Sequence, residues 1–198
     1  VDAIHFISAQ THPFSLYIPS TATCRPTSKT MIQIIALGPN GEFANDETMP
    51  CDRNHADMQR FFEKTTSHVT GSIVVMGRRT YDSLPQTHLI HRHCIVIASS
   101  NPFRRSFPGV DFMSFDSMIH RYKTSVQSVP WFVIGAKSLL IDTLPWTCKI
   151  IVTRIACQQH VLESYPPKLS FRLLHEARPL NEQVQVETYI KILKIDID

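Results

Sequence analysis

The sequence predicts an α/β protein built on a mostly parallel β-sheet with flanking helices. Short β-branched and aliphatic runs, typical of strands buried on both faces, recur along the chain, and segments with helical apolar spacing separate several of them. Strands that alternate with helices favour parallel pairing, because each helix carries the chain back across the sheet. Two runs near the C-terminus, 171–176 and 184–193, are expected to form an antiparallel pair at the sheet edge.

Composition restricts the chain to ordinary globular classes. The 198 residues include 43% hydrophobic and 19% charged residues, with a formal net charge of +3. So small a charge does not indicate nucleic-acid binding, and no apolar run approaches the ~20 residues of a membrane-spanning helix. The five cysteines are widely spaced and form no Cys-x-x-Cys pair. They predict free thiols in a reducing compartment, the cytoplasm, with neither a disulfide frame nor a metal site.

The first thirty residues differ from the rest. Ser, Thr and Pro are dense from Thr11 to Thr30 and charges are few, which predicts a flexible N-terminal extension, residues 1–30, before a folded domain, residues 31–198. The extension lacks the basic stretch and continuous apolar core of a secretory signal. Met31 is the expected functional start of the fold.

The folded domain is expected to open with a strand, Ile32–Leu37, which ends at the Gly38–Gly41 turn. Residues 42–50 are then predicted to form an irregular connection, the kind of segment that often carries function.

The clearest predicted helix runs from Asn54 to about Thr65. Asn54 is a suitable N-cap, and apolar residues including Phe61 form a stripe at helical spacing. Asp57 lies one turn before Phe61, so its carboxylate is expected at the edge of that stripe, where partial burial raises the pKa. An acid in the first turn is also common for its interaction with the helix dipole, and the residues alone favour that structural interpretation.

Residues 72–85 combine a strand with a helix start. Ile73–Met76 is a β-branched run that predicts a buried strand, and at Gly77 the chain turns into Arg78-Arg79-Thr80, the start of a short helix that ends at Leu84-Pro85. Unpaired backbone N–H groups and two adjacent guanidinium groups attract phosphate. The pattern indicates either an anion site or a solvated basic turn in which the glycine serves only the backbone.

The remaining elements follow the same alternation. A helix is expected at 115–123, where apolar residues recur at helical spacing, and another from about 138 to 144 after a turn at Gly135. The other predicted strands are Cys94–Ala98, Val110–Met113, Val129–Ile134 and Lys149–Ile155.

The segment from Met76 to Pro85 closely resembles the strand-to-helix signature of dihydrofolate reductase, and the resemblance extends from Met31 to about Lys194. It implies an eight-stranded, mostly parallel sheet with ligands across the carboxyl ends of the strands. It also implies NADPH-dependent reduction of 7,8-dihydrofolate to tetrahydrofolate, for one-carbon and thymidylate metabolism. The implied protein is a monomer that binds antifolates such as methotrexate, without nucleic acid, metal or membrane partners.

The resemblance also implies a substrate site. Asp57 would bind the pterin amino group and N3 and favour protonation of N5, and the hydroxyl of Thr153 would orient that carboxylate. Arg92 would bind the α-carboxylate of the glutamate tail. From the residues alone, Thr153 is a strand threonine and Arg92 a solvated loop arginine. Met49 falls in the loop expected to close over the nicotinamide. The implied apolar wall comprises Ile35, Ala36, Phe61, Leu84 and Ile134.

The implied cofactor site lies on the other side of the same cleft. Arg78 and Arg79 match the positions that hold a 2′-phosphate, which implies NADPH rather than NADH, and Thr80 matches a residue near the pyrophosphate. The other implied cofactor-binding residues are Ala36, Leu37, Gly77, Ser99, Gly135, Ala136, Lys137 and Ser138.

Several positions depart from the family pattern. Gly135-Ala136 stands where the family has Gly-Gly joined by a cis peptide, and the added methyl would crowd the cofactor. Leu140 or Leu139 replaces a Tyr, Cys51 a loop Trp, and Ala44 a loop Gly. These departures support an alternative, a weakly active or non-catalytic relative that keeps the fold for binding or structure. A third option, a related reductase acting on a pyrimidine riboside, has no use for Arg92 or Asp57.

Overall fold

The computed structural model describes residues 30–44, 54–66, 71–85, 87, 89–90, 92–98, 108–126, 129–156, 163–164, 171–181 and 184–191. The predicted extension, apart from Thr30, lies outside these residues. The described elements, in chain order, are β1 (Met31–Leu37), β2 (Glu42–Ala44), α1 (His55–Thr66), β3 (Ile73–Gly77), α2 (Arg78–Ser83), β4 (His93–Ile97), β5 (Val110–Met113), α3 (Phe115–Thr124), β6 (Trp131–Val133), α4 (Lys137–Thr143), a 3₁₀ turn (Leu144–Trp146), β7 (Thr147–Ile155), β8 (Glu163–Ser164), β9 (Phe171–Asn181) and β10 (Val184–Lys191).

Within this described part of the chain, eight strands form one sheet in the order β5-β4-β3-β6-β1-β7-β10-β9. All neighbouring pairs from β5 to β7 are parallel, and β10 is antiparallel to both β7 and β9. The predicted mostly parallel sheet with an antiparallel pair at one edge is therefore confirmed. The carboxyl ends of β3, β6, β1 and β7 lie next to one another at one end of the sheet.

The connection after the first strand is more ordered than its sequence suggests. Residues 42–44, which were expected to be irregular, form β2 and pair antiparallel with β8, with Glu42 opposite Ser164. A two-residue partner carries no periodicity that a sequence could reveal. The last parallel strand, β7, also begins earlier than predicted, because Thr147 pairs with Met31 beside an irregularity in the β1 register.

The sheet separates two apolar clusters. The larger one, around Trp131 and Leu140, lies beneath α3 and α4. Gln33 is buried on the same strand as Met31 and Ile35 of this cluster, and its side-chain amide donates to the Leu140 carbonyl at 2.7 Å and to the hydroxyls of Thr143 and Thr147 at 3.1 and 3.2 Å. Because each donor finds a polar acceptor, this amide is accommodated in the core. The smaller cluster, around Phe61 and Tyr81, lies beneath α1 and α2.

The longest described helix, α1, has 12 residues. No described helix has the length and apolar character that a bilayer crossing requires.

Candidate active site

Two turns that are distant in sequence meet at the carboxyl ends of β3 and β6. The Gly77 N–H donates to the Gly135 carbonyl at 2.7 Å, and the Gly135–Ala136 peptide bond is cis. A Cβ at Gly135 would lie 3.2 Å from the Thr80 hydroxyl oxygen, and a Cβ at Gly77 would lie 3.2 Å from the Ala136 nitrogen. Both glycines therefore permit a backbone approach that a side chain would obstruct.

The paired arginines stand in the first turn of α2, beside this junction. Arg78 and Arg79 are exposed. The Arg78 Nε donates to both carboxylate oxygens of Asp82, at 2.9 and 2.7 Å, and its guanidinium lies 5.9 Å from the centre of the Phe112 ring. An exposed pair of this kind contributes at most about 1 kcal/mol, so an anionic ligand could displace Asp82 at little cost.

The start of α1 presents an acid to the same end of the sheet. Asn54 caps the helix as predicted, because its Oδ1 accepts from the N–H groups of Ala56 and Asp57 at 3.0 and 3.3 Å. Asp57 is half-buried, and its carboxylate accepts a hydrogen bond from the buried hydroxyl of Thr153. Burial raises the pKa of Asp57 above its ordinary value, although Thr153 and Arg60 oppose the shift.

Strand register explains why Thr153 reaches this acid. Thr153 lies near the end of β7 and pairs with Ala36 of the neighbouring β1. Its hydroxyl is on the face covered by α1, since Ile150 and Val152 belong to the cluster on the opposite face. The acid, the hydroxyl and the end of β1 therefore converge.

The apolar side chains around this site belong to one cluster. Phe61 is 8% exposed, and Leu84 and Ile134 pack against its cluster as expected. Met58, from the apolar stripe predicted for α1, also packs against this cluster, as does Ile34, which was not among the predicted site residues. The cluster extends from α1 to α2, so it connects the acid with the arginine-bearing turn.

Two predicted site residues face the other way. The side chains of Ile35 and Leu37 are buried in the cluster beneath α3 and α4. Successive side chains of a strand point to opposite faces, so Ile35 and Ala36 cannot both line one wall with their side chains. The side chains of Ile35 and Leu37 therefore lie on the face opposite Thr153, whereas Ile34 packs on the α1 face, and contacts of Ile35 and Leu37 with a ligand stay predictions.

Arg92 is buried, with 7% of its surface exposed, so the solvated-loop interpretation is wrong. Its Nε donates to the Thr65 hydroxyl at 2.8 Å, and its guanidinium lies 5.6 Å from the Phe61 ring centre and 4.8 Å from that of Phe62. Burial lowers the pKa of Arg92 from a very high ordinary value, which leaves the side chain charged at neutral pH. A cation therefore lies against the aromatic wall of the site.

The remaining predicted positions are distributed as follows. Lys137 and Ser138 open α4 directly after the Gly135–Ala136 turn. Leu140, at one of the two positions considered for the family's Tyr, is fully buried. Met49, Cys51 and Ser99 lie outside the described residues. Among the residues that the structure does describe, no group of three His, Cys, Asp or Glu side chains could hold a metal ion.

One charged neighbour of the acid was not anticipated. Arg60, one turn after Asp57 on α1, is half-buried and interacts electrostatically with that carboxylate. A basic residue in an amphipathic helix ordinarily faces solvent, so the sequence pattern gave no reason to select it.

Comparison with known proteins agrees with this geometry. The family model for dihydrofolate reductase matches residues 30–193. A type 8 dihydrofolate reductase of Escherichia coli is 34% identical over 109 residues, which cover 52% of this chain and 62% of the relative. A dihydrofolate reductase of Enterococcus faecium is 31% identical over 120 residues, 61% of this chain and 67% of the relative.

A bifunctional dihydrofolate reductase-thymidylate synthase of Paramecium tetraurelia is also similar. It is 30% identical over 118 residues, which cover 60% of this chain but 24% of that protein. The matched region thus covers about a quarter of the Paramecium protein's length. It covers 62% and 67% of the Escherichia coli and Enterococcus faecium proteins.

Proposed function

The chain belongs to the dihydrofolate reductase family, and from this premise we propose that it reduces 7,8-dihydrofolate to tetrahydrofolate with NADPH. The observation that carries the proposal is the half-buried Asp57 carboxylate, hydrogen-bonded to Thr153, at the same end of the sheet as the Gly77–Gly135 junction. Such a reaction needs two sites: an acid beside an apolar wall for the pterin, and a turn that can bind the phosphates of the cofactor.

Asp57 and Thr153 provide the proton-handling half. The reaction adds a hydride to C6 and a proton to N5 of the pterin, so positive charge develops on the ring. A carboxylate in a partly desolvated site stabilises that charge and accepts two hydrogen bonds from the pterin amino group and N3. The Thr153 hydroxyl fixes the carboxylate's orientation, and Phe61 with its cluster excludes water from the ring.

The glycine junction and the arginine pair fit a dinucleotide. The backbone at Gly77 and Gly135 is open because neither carries a Cβ, and two exposed guanidinium groups suit an additional phosphate. NADPH, when bound, supplies the hydride. The residues proposed to hold it are Ala36, Gly77, Arg78, Arg79, Thr80, Ser99, Gly135, Ala136, Lys137 and Ser138, with Leu37 contributing backbone atoms only.

The direct test is a turnover assay. When purified protein is mixed with NADPH and dihydrofolate, the absorbance of the reduced nicotinamide should fall at a rate proportional to the enzyme concentration. Folded protein that binds NADPH and methotrexate by calorimetry without turnover would instead support the non-catalytic alternative. Reduction of a pyrimidine riboside in place of dihydrofolate would support the third option, a related reductase that acts on such a substrate.

Arg79→Gln should reduce selectivity for the phosphorylated cofactor. Arg79 is exposed, and loss of a charge-assisted phosphate contact costs about 1.5–3 kcal/mol, or roughly a 10- to 100-fold rise in the KM for NADPH. The KM for NADH should stay unchanged. Lys123→Gln, which removes an exposed cation from α3, is the matched control and should change neither value. Equal losses for NADPH and NADH would contradict a role at the 2′-phosphate.

Arg92→Lys should weaken binding of the substrate's glutamate tail. Lysine keeps the charge but cannot donate two parallel hydrogen bonds to a carboxylate, so the KM for dihydrofolate should rise about 10-fold or more with kcat little changed. A dihydropterin without the tail serves as the control substrate and should be reduced equally by both proteins. If both substrates lose equally, Arg92 supports only the packing against Phe61 and Phe62.

The compartment is inferred from the thiols. Cys94 is a buried free thiol, and burial raises its pKa to about 11, which keeps this thiol protonated and unreactive. Such cysteines suit a reducing compartment such as the cytoplasm.

A further inference from the structure

Arg60 occupies an unusual position for a basic residue of an amphipathic helix. It lies three residues after Asp57 on α1, a spacing that makes the two side chains neighbours on one helix surface. The side chain is half-buried, and its Nε is buried without a hydrogen-bond partner among the described residues. Burying a guanidinium has a cost in free energy, so a compensating role in the site is expected.

Two described side chains interact with the Asp57 carboxylate. The Thr153 hydroxyl of β7 donates a hydrogen bond to it, and the Arg60 guanidinium of α1 attracts its negative charge. Glu63 interacts with Arg60 from the next turn, but it is exposed and its carboxylate accepts from the Gln59 amide at 3.1 Å. Within the described part of the chain, Arg60 is therefore the cation that balances Asp57.

We propose that Arg60 is a positioning residue of the substrate pocket, which acts through Asp57 and sets the pH at which the pocket takes up a proton. Its consequence for turnover rests on the proposed function, but its electrostatic basis does not. The pocket must gain a proton during reduction, and Asp57 and the pterin share that proton as a coupled pair. A nearby cation disfavours proton uptake by the pair, whichever partner holds the proton.

The first test is the pH profile of turnover at saturating substrates. Arg60→Met removes the cation and keeps the apolar stem, so the midpoint of the alkaline decline should move up by about 0.5–1 pH unit. Arg60→Lys should restore at least half of that shift. Lys64→Met, which removes an exposed cation from the last turn of the same helix, should leave the midpoint in place.

The second test is independent of catalysis. The Asp57 carboxyl resonance, assigned by its loss in Asp57→Asn, is titrated by ¹³C NMR in the unliganded protein. Its midpoint should be higher in Arg60→Met than in wild type, and unchanged in Lys64→Met. An unchanged midpoint in the folded variant would overturn the proposal for Arg60. Absence of turnover by wild-type protein would contradict the proposed function and leave this titration decisive.

A folding defect can be separated from the electrostatic effect. If Arg60→Met does not fold, Arg60→Gln retains hydrogen-bonding capacity without the charge and should give the same upward midpoint. A merely structural Arg60 would lower thermal stability in these variants and leave both midpoints where they are in wild type.

Discussion

Asp57→Asn should reduce the rate of dihydrofolate reduction at pH 7 by about 10²- to 10³-fold, the range expected for loss of an acid–base group. The amide is nearly isosteric and can still bond to Thr153, but it carries no negative charge to stabilise a protonated pterin. NADPH affinity should be unchanged, because the arginine pair proposed to bind the cofactor stands on α2, whereas Asp57 stands on α1. Steady-state kinetics with both ligands measures the effect.

The loss should diminish in acid. Below pH 6 the solvent supplies protons to N5 more readily, so the ratio of wild-type to variant rates should fall as the pH is lowered. A neutral rate equal to that of wild type would remove Asp57 from the proton-handling role. A deficit that stays constant across the pH range would point to lost substrate orientation instead.

The same substitution should stabilise the fold at neutral pH. Burial raises the pKa of Asp57 in the folded protein relative to the unfolded chain, so ionisation favours unfolding. This free-energy penalty is absent below the ordinary carboxylate pKa of the unfolded chain. It grows as the pH rises from there to the raised pKa of the folded protein, and it stays constant at higher pH. Asp57→Asn removes it, and its melting temperature should exceed that of wild type by a few degrees at pH 7 but not at pH 3.

Asp142→Asn provides the matched control for both effects. Asp142 is an exposed carboxylate on α4, so its amide variant should change neither the rate nor the melting temperature appreciably. A melting temperature of Asp57→Asn below that of wild type would show that the carboxylate contributes more through Thr153 than burial takes away. Such gains in stability with losses in activity are typical of functional sites.

Alternation of strand and helix patterns was sufficient to predict the sheet, because buried parallel strands are short, apolar and bounded by turns. It could not predict the faces on which side chains fall at the site. Ile35 and Ala36 are adjacent, and only the register of β1 with β7 determines which one shares a face with Thr153. Because successive side chains of a strand point to opposite faces, the side chains of Ile35 and Ala36 cannot line the same wall.

Long-range contacts explain the other differences. Arg92 resembled a solvated loop residue because nothing near it in sequence shows that the Phe61 and Phe62 rings of α1 lie against it. The hydrogen bond between Thr153 and Asp57 was expected only from family resemblance, since no periodicity relates residues so far apart. The monomeric state, the flexible N-terminal extension at residues 1–30 and the site roles of Met49 and Ser99 stay predictions.

Gly135→Ala should weaken NADPH binding by about 100-fold and destabilise the fold by about 1–3 kcal/mol. Gly135 has φ of +136°, a conformation that L-residues rarely adopt, and a Cβ there would lie 3.2 Å from the Thr80 hydroxyl oxygen. The turn would have to move, and its carbonyl, which accepts from Gly77 at 2.7 Å, would move with it. Calorimetric binding and thermal unfolding measure the two effects.

Gly71→Ala distinguishes backbone strain from damage to the site. Gly71 also has positive φ, at +82°, but a Cβ there would meet nothing within 4 Å. Its alanine variant should lose about 1 kcal/mol of stability, as a residue forced into a left-handed conformation does, and should bind NADPH as wild type does. Comparable losses of affinity in both variants would mean that general destabilisation, not the turn, weakens binding.

The contact with Thr80 can be tested by a double variant. Thr80→Ala removes the oxygen that a Cβ at residue 135 would meet, so adding it to Gly135→Ala should recover part of the lost stability, and the two changes should be non-additive. NADPH affinity should not recover, because the backbone conformation and the Thr80 hydroxyl are both then lost. If Gly135→Ala bound NADPH as tightly as wild type does, the proposed cofactor site at this junction would be contradicted. If only Arg79→Gln kept wild-type affinity for NADPH, the proposed contact between Arg79 and the 2′-phosphate would be contradicted, but the site at the junction would not.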